Sequence, residues 1–373
     1  MTHHPIAVIG GGLGGLTLAR VLHVNGIESA VFDLDSGPAA RTQGGMLDIH
    51  AESGQAALRT AGLYEQFREL VHIGGEATRV LDRHANVLFH DEDDGNGDRP
   101  EVDRGALRDL LLDSLPTGTV QWGTKITGAE PLSDGRHEVH LADGSSFTTN
   151  LLIGADGAWS KIRPLVSSAT PVYTGLSFVE GDLHDADTRH STAAATVGGG
   201  MLFALGHDRG FLAHREPDGS LHVYTALRAP ESWAPSIGAV DVDAAKSLVL
   251  EHFTDWDDTL LALVRDADTP LVPRPIHALP VGHTWNRTPG VTLLGDAAHV
   301  MSPFAGEGAN LAMLDGAELG EAIAAHPETE DALTAYEARL FPRSEAAAQD
   351  SAEGLELCFR EDAPRGLVEM FTA

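Results

Sequence analysis

The sequence predicts an α/β fold: a Rossmann-like domain built on a parallel sheet, with an inserted antiparallel-sheet domain and a C-terminal helix. Three observations carry that prediction. The apolar run PIAVIG (5–10) ends in glycines and passes straight into LTLARVLHVNG, whose apolar residues recur at helical spacing until Gly26. A second apolar run, ESAVFD (28–33), closes on an acid, so the first 33 residues form one βαβ unit with parallel strands. From about 171 to 228 the chain changes to short alternating segments, LSFVEGDL, GGMLFALG, FLAHRE and SLHVYTALR, broken by DRG and PDGS turns; this is the pattern of an antiparallel meander with one face available for a pocket.

The other elements follow in chain order. GALRDLLLDSL (105–115) has helical periodicity, and EVHLADGSSFTTNLLIGADG holds two strands around an Asp143-Gly144 hairpin signal, returning the chain to the first sheet near Leu151. A helical stretch, VDAAKSLVLEHF, precedes another apolar strand, GVTLLGDAAH, which leads back to a glycine-rich loop and a helix. The second unit is therefore inserted into the first. Residues 330–360 are Ala- and Glu-rich with helical composition, and HDEDDGNGDRPE (90–101) reads as a solvated acidic loop. At 373 residues, two packed units are expected.

Composition narrows the partners. With 25 Lys+Arg against 55 Asp+Glu the net charge is −30, which disfavours both a phosphate backbone and an anionic lipid surface. The single cysteine, Cys358, cannot form an internal disulfide, and the N-terminus shows no signal-peptide pattern, so the cytoplasm is the expected compartment. The 19 histidines are scattered and neither H-E-x-x-H nor C-x-x-C occurs, so no metal is expected. A monomer is the expected assembly.

The chemistry concentrates in three motifs. Gly10, Gly12 and Gly15 fit G-x-G-x-x-G between a strand and a helix, where the missing side chains let the backbone approach a pyrophosphate and the helix N-terminus favours its charge. Asp33, at the end of the next strand, is the carboxylate expected on a ribose hydroxyl. Farther on, GADGAWSKIR (154–163) holds Asp156, Gly157, Ser160 and Arg163 as D-G-x-x-S-x-x-R, and VTLLGDAAHVMSPFAGEGAN (291–310) holds Gly295 and Asp296, with Pro303, Gly306 and Gly308 beyond. In this order the motifs resemble the class A FAD-dependent aromatic monooxygenases of the para-hydroxybenzoate hydroxylase type. RTQGGMLDIHAESGQAALRTAGL (41–63), EVDRGALRDLLLDSL (101–115) and the 291–310 segment are most similar to the tetracycline-inactivating flavin monooxygenases, the tetracycline destructases, over nearly the whole chain.

The resemblance implies a cofactor set. Gly10, Gly12, Leu13, Gly14 and Gly15 would hold the FAD pyrophosphate, and Asp33 with Leu34 the adenosine ribose end. Arg41, Gly45 and Asp48 match positions near the flavin, Arg104 and Arg108 a pair of arginines near its ribityl and pyrophosphate, and Asp156 the second motif. Gly295 and Asp296 would meet the ribityl chain, while Pro303, Gly306, Gly308, Ala309 and Asn310 would form the loop over the isoalloxazine. With only one glycine fingerprint present, NADPH or NADH is expected to visit transiently as reductant, with O2 as co-substrate. On this reading residues 1–75, 101–170 and 286–330 form the FAD-binding domain. Residues 76–100 add strands to a substrate domain at 171–285, and 331–373 form a C-terminal helix bridging the two.

For the substrate, a planar aromatic or polyketide, the match is looser. His222 and Tyr224 share one face of SLHVYTALR, and His222 matches a family histidine near the tetracycline; Tyr224 stands where the family has a glycine and predicts a narrower pocket. Glu180 aligns with a substrate-binding glutamine, and GGGML near 200 lacks the arginine that the tetracycline enzymes use. Glu180, His222 and Tyr224 are candidates to bind or deprotonate a phenol or enol, Phe304 to stack on a planar substrate, and His299 to satisfy loop backbone groups. Hydroxylation, epoxidation and Baeyer–Villiger oxygenation share the same cofactor residues, and a flavin-bearing protein that only sequesters an antibiotic would keep them too. A flavin halogenase is disfavoured, because the first lysine is Lys125 and no W-x-W-x-I-P box is present.

Overall fold

The computed structural model describes residues 2–40, 45–93 and 97–372. It divides into two compact units: residues 1–71, 104–172 and 277–351 form the first, and residues 72–103, 173–276 and 352–373 the second.

In the first unit, strand Thr2–Ile9 pairs in parallel with Ala30–Phe32 on one side and with Ser146–Gly154 on the other. Val120–Gln121 extends the sheet beyond Ala30–Phe32, and Val291–Leu293 joins Ser146–Gly154, both in parallel. The antiparallel strands His137–Leu141 and Ile126–Pro131 close the other side. Register is the useful detail: Ile9 stands opposite Phe32 and Gly154, and Gly154 opposite Leu293. The carboxyl ends of four parallel strands therefore lie level, so the segments that follow them emerge along one sheet edge, where open α/β sheets place their ligands. Apolar strand residues such as Val8, Val31, Leu152 and Val291 are fully buried, with Phe32 stacked on Phe147 at 4.3 Å.

Helix Leu13–Val24 crosses helix Gly308–Ala325 through glycine contacts. A Cβ on Gly14 would lie 2.6 Å from the Ala312 carbonyl, and one on Gly316 would lie 2.4 Å from that of Gly14. Only hydrogen at these positions permits so close an approach.

In the second unit, strands Val172–Leu183, Leu221–Arg228, Arg209–Arg215 and Met201–Gly206 pair successively in antiparallel fashion, as the alternating pattern predicts. The expected all-antiparallel sheet has one exception. Met201–Gly206 pairs in parallel with Thr78–Leu81, because that strand arrives from a distant stretch of chain rather than through a hairpin. Alternate residues, among them Val179, Leu183, Leu202, Phe211 and Val223, pack into a core with helices Ser191–Val197, Val242–Leu250 and Asp258–Arg265. The intervening residues Glu180, Asp182, Leu212, His214, His222 and Tyr224 occupy the opposite face.

The C-terminal segment is one long helix, Thr329–Phe359, followed by Arg365–Thr372. Its residues up to Ser351 cluster with the first unit and those from Ala352 with the second. Cys358 is buried in it, and burial pushes its thiol up to about 12, which leaves it protonated and unreactive. Among the described residues, no helix is long and apolar enough to cross a membrane.

Candidate functional site

The level strand ends bring the three motifs of the first unit together. After Ile9, Gly10 takes φ +113°, and a Cβ there would fall 2.2 Å from the Ala155 carbonyl; a Cβ on Gly15 would fall 2.1 Å from that of Gly10. These two glycines let the turn fold tightly. Gly12 is different: nothing lies within 4 Å of where its Cβ would be, and it begins helix Leu13–Val24 with no side-chain cap. The first helical N–H groups thus face an open cradle, the arrangement that accepts a phosphate. Leu13 turns its side chain into the core, and Gly14 serves the helix crossing described above.

Asp33 is buried and accepts hydrogen bonds from the Gly11 N–H at 2.6 Å and the Asp35 N–H at 2.8 Å, so it shapes the turn while keeping acceptor capacity for a hydroxyl. Leu34 beside it projects into solvent. Arg108 is fully buried; its Nη1 donates to the Pro38 carbonyl at 3.0 Å, and its guanidinium lies 5.3 Å from the Trp122 ring centroid. Its Nη2 approaches Asp35 at 3.8 Å but makes no hydrogen bond among the described residues. A buried guanidinium donor without an acceptor among the described residues, next to the glycine turn, fits an anionic cofactor group. Arg41 lies outside the described residues.

The second motif proves to be a tie within the chain. Asp156 accepts from Ser160 Oγ at 2.5 Å and from the Lys161 N–H at 2.6 Å, and Ser160 Oγ in turn accepts from the Arg163 N–H at 3.0 Å. Arg163 then donates to the Ala297 and Asp296 carbonyls at 2.8 and 3.1 Å. The motif suggests a cofactor role for Asp156; in the fold each of its oxygens also accepts one hydrogen bond from its own loop, which Arg163 fastens to the Asp296 turn. Burial raises the Asp156 pKa against these hydrogen bonds.

Asp296 opens helix Asp296–His299 after Gly295, which adopts φ +57°. Its carboxylate is reached by solvent, yet desolvation by the surrounding protein raises its pKa, with His299, Arg104 and Arg163 as opposing positive charges. The Arg104 N–H donates to the Gly45 carbonyl at 3.2 Å. His299 does not serve loop backbone as expected. Its Nε2 meets the fully buried Asp315 at 2.7 Å, Arg343 binds the other oxygen at 2.8 Å, and the Gly295 N–H donates to the same carboxylate at 2.9 Å.

Pro303–Ala305 form a 3-10 turn containing Phe304, Gly306 follows at φ +67°, and helix Gly308–Ala325, with Ala309 in its first turn, starts without a side-chain cap. Asn310 fixes the loop: its Nδ2 donates to the carbonyls of Asp48 and Gly306 at 2.8 and 3.1 Å, and its Oδ1 accepts the His50 N–H at 3.0 Å. His50 carries no signal in the sequence that marks it for this place. It is buried, with Nε2 2.8 Å from Asp48 and Nδ1 2.9 Å from Glu307.

In the second unit, cross-strand register places Glu180 opposite Tyr224 and Asp182 opposite His222. His222 Nδ1 lies 2.6 Å from Asp182, whose backbone N–H donates to Thr269 Oγ1 at 2.9 Å while its carboxylate accepts from that hydroxyl at 3.3 Å. A cavity of about 220 Å³ is lined by Glu180, Gly181, Asp182, His222, Thr269, Pro270 and Val272. Burial opposes a charge on His222, but the hydrogen bond to Asp182 and the carboxylates of Asp182, Glu180 and Glu216 raise its pKa; the bond from His222 lowers that of Asp182. Tyr224 packs its ring edgewise on His222 at 4.5 Å and against Phe178 at 5.4 Å. Arg274 meets Glu180 at 3.0 Å, so an arginine does stand beside this cavity wall, from a strand the sequence did not mark. Asp182 escapes sequence reasoning as well, although it stands two residues after Glu180 on the same face.

Comparison with known proteins completes the picture. A family model described as "FAD binding domain" matches residues 3–351. Monooxygenase asqM of Emericella nidulans is 30% identical over 428 residues, covering 96% of each chain. Among solved structures, Klebsiella pneumoniae HpxO complexed with FAD and uric acid superposes with a TM-score of 0.79 at 23% identity, covering 98% of this chain and 91% of that one. The tetracycline destructase Tet(55) superposes with a TM-score of 0.76 at 18% identity, covering 100% and 95%. With the fingerprint cradle, the Asp296 turn and the capless helix at Gly308 on one sheet edge, the match over nearly the full chain leaves one assignment: this chain belongs to the FAD binding domain family of class A aromatic-hydroxylase type and is a FAD-dependent monooxygenase.

Proposed function

We propose that the chain uses NAD(P)H and O2 to oxygenate a planar aromatic or polyketide substrate bearing a phenol or enol, with tetracycline-type antibiotics as the leading named candidates. The observation that carries this reading is the Asp182–His222 pair on the wall of a cavity of about 220 Å³. Asp182 holds Nδ1 and favours the charged imidazole, which leaves Nε2 to donate to a substrate oxygen. An oxyanion is stabilised there, and a ring carbon conjugated to that oxygen becomes electron-rich. Arg274 and Glu180 would orient further polar groups, while Tyr224 narrows the wall.

For the cofactor, we place the pyrophosphate at the Gly10–Gly15 turn with Arg108, the adenosine ribose at Asp33, and the ribityl chain near Asp296 and Arg104. The isoalloxazine would rest against Pro303–Gly308. Bound FAD supplies the oxygen-transfer chemistry, with NAD(P)H as its reductant. The protein's share is to hold the cofactor's charges at two helix N-termini, fix the substrate oxygen at His222 Nε2 and exclude water.

The test is aerobic incubation of purified protein with FAD, NADPH and tetracycline, reading product mass with peroxide in parallel. A gain of one oxygen atom supports the reading. Unchanged tetracycline with NADPH consumed and peroxide released removes tetracycline and leaves other polyketides and aromatics to be screened. No NADPH consumption with any of them would overturn the proposal and favour a sequestering protein.

A further inference from the structure

Beneath the glycine-rich loop of the first unit lies a charged side chain that neither the sequence motifs nor the proposed chemistry uses. His50 is 1% exposed, and a carboxylate oxygen stands at each of its ring nitrogens: Asp48 Oδ2 at 2.8 Å from Nε2 and Glu307 Oε1 at 2.9 Å from Nδ1. An imidazole donates to two ionised carboxylates at once only when both its nitrogens are protonated, so this geometry favours the cation. The ring is immediately adjacent to the loop: a Cβ on Gly306 would lie 3.1 Å from Asp48 Oδ2 and 3.5 Å from His50 Nε2. Asn310 locks the same three segments through Asp48, His50 and Gly306.

We propose that His50 is a positioning residue for the cofactor loop: bridged between Asp48 and Glu307 beneath Gly306, it cancels one of their two charges and thereby sets the potential that the isoalloxazine meets there. The inference rests on the placement of the isoalloxazine against Pro303–Gly308 proposed above.

The electrostatics support it. Burial opposes the charge on His50, but hydrogen bonds to Asp48 and Glu307, together with their charges, raise its pKa to about 9. Among the described residues, the charged groups facing the ring are Asp48 from the strand Met46–Asp48 just before it, Glu307 from the loop and the exposed Glu52, whose carboxylate lies within 4.8 Å of ligand atoms of both His50 and Glu307; Asn310 from the following helix is neutral. With His50 charged, its charge cancels one of the negative charges that Asp48, Glu307 and Glu52 bring to this cluster; without it, that negative charge stands uncompensated. Flavin reduction adds negative charge to the pyrimidine edge, so loss of the imidazolium disfavours that charge.

Inorganic sulfite reads this potential without turnover. Its sulfur lone pair forms a bond to flavin N5, and the displaced electron pair comes to rest on the pyrimidine ring. Sulfite titrations of the FAD-loaded wild type, His50→Gln and Glu307→Gln proteins, followed by loss of the visible flavin band, form the experiment. We expect His50→Gln to weaken sulfite binding by about tenfold or more at pH 7.5, and Glu307→Gln to tighten it. The ratio of wild type to His50→Gln should shrink toward one as pH rises through about 9. A His50→Gln protein that retains FAD and binds sulfite within about twofold of wild type would overturn the proposal. So would weaker sulfite binding by Glu307→Gln, the variant that decides the matter if His50→Gln does not fold. Variants Pro303→Gly and Phe304→Ala that take up FAD with flavin fluorescence and absorbance unchanged from wild type would instead overturn the placement of the isoalloxazine.

Discussion

The two units each hold a histidine against carboxylates, and the number of tethers separates their uses. His50 in the first unit is gripped at both ring nitrogens, by Asp48 and Glu307, and is buried. His222 in the second is gripped only at Nδ1, by Asp182, and lies on the wall of a cavity. A doubly tethered imidazolium cannot exchange its proton with a ligand without losing a hydrogen bond, so it acts as a fixed charge. A singly tethered one keeps a donor for an incoming oxygen, and its partner sets how readily the proton leaves. His299, with Nε2 on Asp315 and both residues buried, marks a third case, in which the pair serves the fold.

The comparison breaks most sharply at His222. His222→Gln should lower substrate oxygenation by about 10²- to 10⁴-fold while leaving FAD affinity unchanged, as measured by initial rates and FAD titration. An equal loss of FAD affinity would erase the distinction between the two histidines. Next comes the structural pair: Asp315→Ala strands Arg343 and His299 without their buried counter-charge and should cost about 3–5 kcal/mol in urea unfolding. A cost below about 1 kcal/mol would show that the cluster is not what holds the Gly295 turn.

Asp182→Asn sharpens the singly tethered case. It keeps a hydrogen-bond partner for Nδ1 but removes the charge that raises the His222 pKa, so the limb of the pH–rate profile that depends on the imidazolium should move to lower pH. The rate at pH 7.5 should then fall by about tenfold. A profile that does not move would exclude His222 as the titrating group. The smallest effect concerns His50. Its folded pKa, about 9, lies above the ordinary 6.5, so its contribution to stability is complete below pH 6.5 and is lost as pH rises through about 9. Unfolding midpoints of wild type should decline by an amount equivalent to about 1–2 kcal/mol over that window relative to His50→Gln, allowing for solvent screening of the partly exposed Asp48 and Glu307.

The fold is legible in the sequence because its signals are local. Helical and alternating periodicities mark Leu13–Val24 and Leu221–Arg228 within a few residues, and glycines appear where the backbone has no alternative, as at Gly10 and Gly15. Alternation places His222 and Tyr224 on one face of their strand, the family resemblance singles out Glu180, and the register sets Glu180 opposite Tyr224. Asp156 shows what a local signal leaves out: a carboxylate in a glycine motif looks like a ligand, and only the hydrogen bonds from Ser160 and Lys161 reveal that it also ties its own loop.

By itself the amino-acid sequence determined the βαβ start, the inserted sheet, the order of the three motifs and the FAD chemistry they imply, because spacing along the chain is enough to specify them. Only the tertiary structure decided which carboxylate meets which histidine. Asp182 and His222 are 40 residues apart, His299 and Asp315 are 16, and His50 and Glu307 are 257. Proton affinity depends on charges and solvent within a few ångströms, and those neighbours are assembled by folding rather than by adjacency in the chain.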